Sequence, residues 1–223
     1  MTGVLSVLRE LLDVRFPPSA YPDPDPRAFQ PAPLLAFATR VTDAYAAEPR
    51  SVDPAFASSW RSLLAHAREV HALVRPHLSI TFSTRTLYSG PEDIVSDLER
   101  GRLEINTEHC EHPLWTPEEN CLFRILHDVL PHALYLRPFS LEGEVLSFHD
   151  HVRRAPPEAG LALFTELFAY AAIRYSTGVY PDSQKCVAFP ELLADYEAGF
   201  LPPARASPPA AWRASGPASR AAS

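Results

Sequence analysis

Proline has no amide hydrogen, and its ring clashes with the preceding helical turn. It is therefore confined to loops, first turns of helices and breaks in them. This chain has 24 prolines among 223 residues, and they are crowded. One cluster, PPSAYPDPDPRAFQPAP, spans 17–33, and another runs from Pro202 to the end. Regular structure must fit between them. The last stretch, 203–223, is Pro, Ala and Ser with Trp212 as its one large apolar residue, which predicts a disordered tail. Residues 1–202 are expected to form one domain, a length ordinary for a single core.

The spacing of apolar residues predicts a mainly α fold, a helical bundle. Helices are expected over 4–12, 31–48 and 54–74. His66, His71 and His77 lie on or just after the third and are expected at its surface or core edge. LSITFS at 78–83 alternates as a strand does. PEDIVSDLER at 91–100 reads as a helix opened by Pro91 and stopped by Gly101. RLEIN at 102–106 alternates again and is expected to pair with the first strand as a minor two-stranded β-hairpin.

The clearest helix start is Thr116-Pro117-Glu118-Glu119. Thr116 can cap, Pro117 suits the first helical position, and Glu119 completes a capping box. Leu122, Ile125, Leu126, Val129 and Leu130 then share one face, and Asn120, Arg124, His127 and Asp128 share the other. A solvated face ordinarily carries Glu, Lys and Gln. At α-helical spacing Asp128 and His132 converge, and Pro131 between them is expected to kink or end the helix. Downstream, Gly143 marks a turn into a helix bearing Glu144 and His151. The segment PPEAGLALFTELFAYAAIRYSTG is apolar nearly all round, with Glu166 in its interior. A buried carboxylate needs a cation, a metal or a proton.

Three consecutive elements thus supply imidazole and carboxylate groups, a donor mixture that suits zinc, iron or manganese. The candidate metal ligands are His127, Asp128, His132 and Glu166. Arg124 is the candidate for anionic charge, and Glu144 and His151 are candidates for a further ligand or a general base. The competing structural reading pairs Glu166 with Arg124 or Arg174 in a buried network. His109, Glu111 and His112 precede the helix in a loop and are expected to be solvated.

Several established patterns are absent. There is no HExxH, no ExxH, no GxGxxG, no GxxxxGK[ST] and no GxSxG. The doublet His127-Asp128 resembles that of HD-type metal phosphohydrolases, although the later Asp of that family has no counterpart unless Glu166 replaces it. A longer stretch resembles an uncharacterised group of bacterial and phage-encoded proteins with the pattern HP–T–EEN–FR–HD–H followed by GE. Here it is His112, Pro113, Thr116, Glu118, Glu119, Asn120, Phe123, Arg124, His127, Asp128, His132, Gly143 and Glu144. The resemblance covers roughly 78–185. It departs at Pro131, where that group often has Gly. It implies a site and names no reaction.

A net charge of −7 excludes a broad electrostatic footprint for nucleic acid or anionic membrane. Three cysteines, Cys110, Cys121 and Cys186, without a CxxC predict neither a disulfide framework nor a zinc knuckle, and point to a reducing compartment. The first residues carry Arg9, Glu10 and Asp13 and lack a basic leader before their apolar run, so a cytoplasmic protein is expected. These readings converge on a divalent-metal enzyme acting on a small molecule, foremost a hydrolase of a phosphate ester or nucleotide-like compound. A non-haem iron oxygenase on the same residues, and a non-catalytic helical interaction protein, are the alternatives.

Overall fold

A computed structural model describes residues 3–85, 88–181 and 183–202. The chain is mainly helical. Helices α1 (Val4–Arg15), α2 (Pro31–Ala47) and α3 (Ala57–Val74) come first. A small sheet follows, built from β1 (Ser79–Ser83), α4 (Pro91–Glu99) and β2 (Arg102–Asn106). Then come α5 (Pro117–His127), a π-helical segment (Asp128–Leu134) and α6 (Leu141–Val152). The apolar segment is one long helical run of changing pitch: α7 (Gly160–Leu163), a second π-helical segment (Phe164–Ala169) and α8 (Tyr170–Thr177). Helix α9 (Pro190–Phe200) closes the described chain. No helix among the described residues is long and apolar enough to cross a membrane. The expected tail, with Trp212, lies outside the described residues.

The two strands pair as expected, but in parallel, with Ser79 opposite Arg102 and Ser83 opposite Asn106. The hairpin is thereby corrected. A hairpin needs a tight turn, and here α4 intervenes and returns the chain to the same end of the sheet. Gly101, at φ +71°, makes the reversal from α4 into β2.

The core gathers around the long apolar run. Trp60 of α3, Phe148 of α6, Phe164, Phe168 and Tyr196 of α9 are fully buried. Helix α9 was not foreseen, yet Tyr196 packs against Phe168 and Phe37 and bonds His149 Nε2 through its hydroxyl at 2.7 Å. The strand-like segment around Cys186 docks on residues 51–53: Cys186 N–H donates to the Ser51 carbonyl and Asp53 N–H to the Cys186 carbonyl. That bond pair fixes Cys186 beside α3 and the long run. His66 is buried rather than superficial, its ring edge-on to Phe16.

Candidate metal centre

Helix α5 starts where its sequence says. Thr116 Oγ1 accepts from Glu119 N–H, and Glu119 Oε2 accepts from Thr116 N–H at 2.9 Å. The helix also staples the loop before it. Arg124 donates to the carbonyls of Asn106 at 2.7 Å and His109 at 3.0 Å, and Asn120 Nδ2 donates to the Cys110 carbonyl at 3.2 Å. Those bonds hold His109 at φ +54°, a conformation costly for a residue with a side chain. Arg124 is thus a tether for backbone.

At His127 the pitch changes. Pro131 has no N–H to give the His127 carbonyl, and the π-helical segment carries the chain past that gap. The consequence is a change of partners. An α-helix places residues four apart over one another, but a π turn, bonded i to i+5, brings residues five apart together. His127 and His132 therefore meet, their Nε2 atoms 2.9 Å apart and their rings crossed at 82°. The expected convergence of Asp128 with His132 is corrected by that one-residue change. Asp128 is not part of that group, and burial pushes its carboxyl up to about 6 against the lowering effect of His127 and Arg124.

Glu144 completes the group from α6. Ser140 caps that helix, its Oγ accepting from Gly143 N–H at 3.1 Å. Glu144 Oε2 lies 3.3 Å from His127 Nε2, and Oε1 lies 3.7 Å from His132 Nε2. The three ligand atoms form one mutual group within 4.8 Å. The face they present is partly open: the His127 and Glu144 side chains are 18% and 17% exposed, while His132 is 2% exposed.

The protons behind this face are assigned by its neighbours. His132 Nδ1 lies 2.7 Å from the Arg137 carbonyl. A carbonyl only accepts, so Nδ1 carries the hydrogen and Nε2 presents its lone pair. Arg137 is itself held by two bonds to the buried Asp150 carboxylate, at 2.6 and 3.0 Å. His127 Nδ1 meets His151 Nε2 at 3.3 Å, and His151 Nδ1 has no partner. Two ring nitrogens facing each other at 2.9 Å repel unless one of them carries a hydrogen or a cation lies between them. Burial opposes charge on His127, yet the Glu144 hydrogen bond and charge raise its pKa. Burial, helped by His127, lowers His132 to about 4. Burial would raise Glu144, but its bond to His127 brings it below the usual carboxylate range. The group is built to hold one cation, a proton or a metal.

A second group of similar composition lies deeper: His112, Glu166 and Cys186. Its wiring is the reverse. His112 Nδ1 accepts the backbone N–H groups of Leu114 and Trp115, at 3.2 and 3.0 Å. The hydrogen of the neutral ring is therefore on Nε2, which faces Glu166 Oε1 at 3.3 Å and Cys186 Sγ at 3.4 Å. Glu166 Oε1 also accepts from Trp60 Nε1 at 2.6 Å. Burial pushes the Cys186 thiol up, away from the thiolate that a metal requires. This is a hydrogen-bonded network in which two N–H donors stabilise one carboxylate.

Glu166 falls in a different group of ligand atoms from His127 and His132. Its partners are also not arginines: Arg124 holds the loop, and Arg174 bonds the Gly178 carbonyl. His112 is buried and stacked on Trp115 with centroids 4.0 Å apart, where solvation was expected. Of the sequence candidates, His127, His132 and Glu144 converge, His151 supports His127 from behind, and Asp128, Arg124 and Glu166 do other work. Arg137, Asp150, Trp60 and Cys186 were not singled out; Asp150, between two histidines, was the one with a visible signal. The cysteines are free, with Cys110 and Cys121 sulfurs 3.7 Å apart.

The motif residues at 112–144 divide accordingly into ligand atoms and the staples that hold them. No protein-family model, no curated protein and no solved structure matches this chain.

Proposed function

We propose that the chain is a metal-dependent enzyme, foremost a hydrolase, with His127, His132 and Glu144 as the protein ligands of one divalent ion. The observation that carries this reading is that one ligand atom from each of the three lies within 4.8 Å of the other two: the two Nε2 atoms are 2.9 Å apart, and the nearest Glu144 oxygen is 3.3 Å from His127 and 3.7 Å from His132. Bonds of about 2 Å in a tetrahedron leave ligand atoms about 3.3 Å apart, which is the centre of that range. Three protein ligands leave one position for water. A divalent ion held there would polarise substrate and acidify that water near neutral pH.

The chain's own residues set the stage for that chemistry. The Arg137 carbonyl keeps the His132 lone pair forward, and Asp150 keeps Arg137 in place. His151 Nε2 accepts from His127 Nδ1 when the His127 lone pair is turned toward an ion. A phosphate-ester substrate was expected on the strength of Arg124, which is committed to two backbone carbonyls. On this geometry a phosphate would be met by the ion alone.

Two histidines and one carboxylate are also the ligand set of non-haem iron oxygenases, which favours that chemistry as the second reading. Metal analysis of protein purified without a histidine tag separates the two. The hydrolase reading expects about one zinc or manganese per chain, lost in His132→Ala. Iron in that stoichiometry would select the oxygenase, and a metal-free protein that binds no added divalent ion would overturn both.

A further inference from the structure

The surroundings of the candidate centre carry information about what approaches it. The loop between the first π-helical segment and α6 is fastened at both ends of its turn. Arg137 N–H donates to the Pro131 carbonyl, and the Arg137 carbonyl takes the His132 hydrogen. Between these anchors Leu136 is held at φ +53° with its side chain 54% exposed. A branched side chain in the left-handed region is strained, and here the strain displays an apolar group to solvent. Phe139, 37% exposed, stands edge-on to the His132 ring with centroids 4.7 Å apart.

The charges nearby tell the complementary story. Arg124 and Arg137 are the guanidinium groups on the segments that carry the ligands and their loop. Arg124 is bonded to two carbonyls, and Arg137 is paired with buried Asp150. On α8, Arg174 bonds the Gly178 carbonyl and lies over the Tyr180 ring. Phosphate recognition ordinarily uses guanidinium or ammonium groups turned toward the anion. Arg124 and Arg137 are instead spent on carbonyls and a carboxylate of the protein itself, and Arg174 on the turn that ends its own helix.

We infer that the centre takes an uncharged small molecule whose aromatic or comparable apolar group rests on Phe139 and the loop that displays Leu136, beside the reacting bond. This rests on the reading of His127, His132 and Glu144 as metal ligands. Exposed apolar side chains gathered around a polar centre are where a ligand's apolar surface is removed from water. Burial of one phenyl group is large enough to dominate the selectivity.

The test uses the full chain loaded with cobalt(II), whose visible absorption reports on ligation. Benzohydroxamate, acetohydroxamate and inorganic phosphate are titrated in turn. Benzohydroxamate is expected to shift the spectrum at a concentration at least tenfold below acetohydroxamate, with phosphate weakest. Phe139→Ala is expected to reduce the phenyl preference severalfold while the ligand-free cobalt spectrum stays unchanged, which shows the centre intact. Equal affinities for the two hydroxamates, or phosphate binding ahead of benzohydroxamate, would overturn this inference and leave the metal reading standing. A protein that gives no cobalt spectrum, or one that His132→Ala does not abolish, would overturn the metal reading and this inference together.

Discussion

Two groups in this molecule have nearly the same composition and opposite chemistry. Each has a carboxylate and imidazole within 4 Å. In the outer group, His132 Nδ1 faces a carbonyl, so its Nε2 lone pair points at His127 and Glu144. In the inner group, His112 Nδ1 faces two amides, so its Nε2 hydrogen points at Glu166. The first is a set of ligand atoms that could hold a cation; the second is already satisfied by its own hydrogen bonds. Backbone two to five residues away decides which is which, and residue type alone does not.

The sharpest test removes a ligand from the outer group. His132→Ala is expected to weaken divalent metal binding by more than about 100-fold, beyond the range that supporting residues command. Equilibrium dialysis reads the affinity, and circular dichroism the fold. Retention of wild-type affinity would break the contrast at its stronger end.

Glu166→Gln tests the inner group. Gln keeps an oxygen for Trp60 and His112 but loses the charge and places an amide N–H₂ among buried donors. The expected cost is about 2–3 kcal/mol of stability, with metal stoichiometry unchanged. Thermal melting and metal analysis on one variant suffice. A protein that keeps its melting temperature and loses its metal would return Glu166 to the ligand set.

A third wiring sharpens the rule. His149 Nδ1 donates to the Pro22 carbonyl, and its Nε2 accepts from Tyr196, so the neutral ring is satisfied on both sides. Burial lowers it to about 3. A folded pKa below the unfolded value near 6.5 means that stability is fully present above pH 6.5 and drains away as pH falls toward the folded pKa. Between pH 7.5 and pH 5 this one residue is expected to cost about 2 kcal/mol. His149→Gln, which takes up no proton there, should lose that much less over the same interval in denaturant titrations. An unchanged interval would show the ring to be titrating normally.

The smallest expected effect lies one layer behind the outer group. Asp150→Asn loosens Arg137, whose carbonyl orients His132. Metal affinity should fall about tenfold, the lower end for such supporting residues, with the ligands all present. No change would mean that the loop holds its carbonyl without help.

The sequence was most legible where local chemistry decides. The Thr116 capping box, the helix that follows, both strands and the polar face of α5 all follow from neighbours within a turn. The converging residues His127, His132 and Glu144 were among the candidates for the same reason. What failed to show was set by pitch and by contacts far along the chain. Pro131 announced a disturbed helix, but whether that would be a kink or a π turn depends on packing, and the answer changed the partner of His132 from Asp128 to His127. The partners of Glu166 come from 106 residues before it, at Trp60, and 54 before it, at His112, and no spacing rule reaches so far. The metal-seeking geometry and the self-satisfied one looked identical as text because tautomers are written by backbone.

Glu144 owes its position to its predecessor's missing side chain. A Cβ built on Gly143 would stand 1.9 Å from the Pro138 carbonyl oxygen and 2.9 Å from its carbon. Both are backbone, so neither can step aside as a flexible side chain would. The outer group therefore carries a constraint on drift that no ligand imposes. Any side chain at 143 is excluded as long as the loop keeps its course. The requirement belongs to the loop and not to any ligand, so a chain that lost His132 or Glu144 would still be expected to keep glycine here.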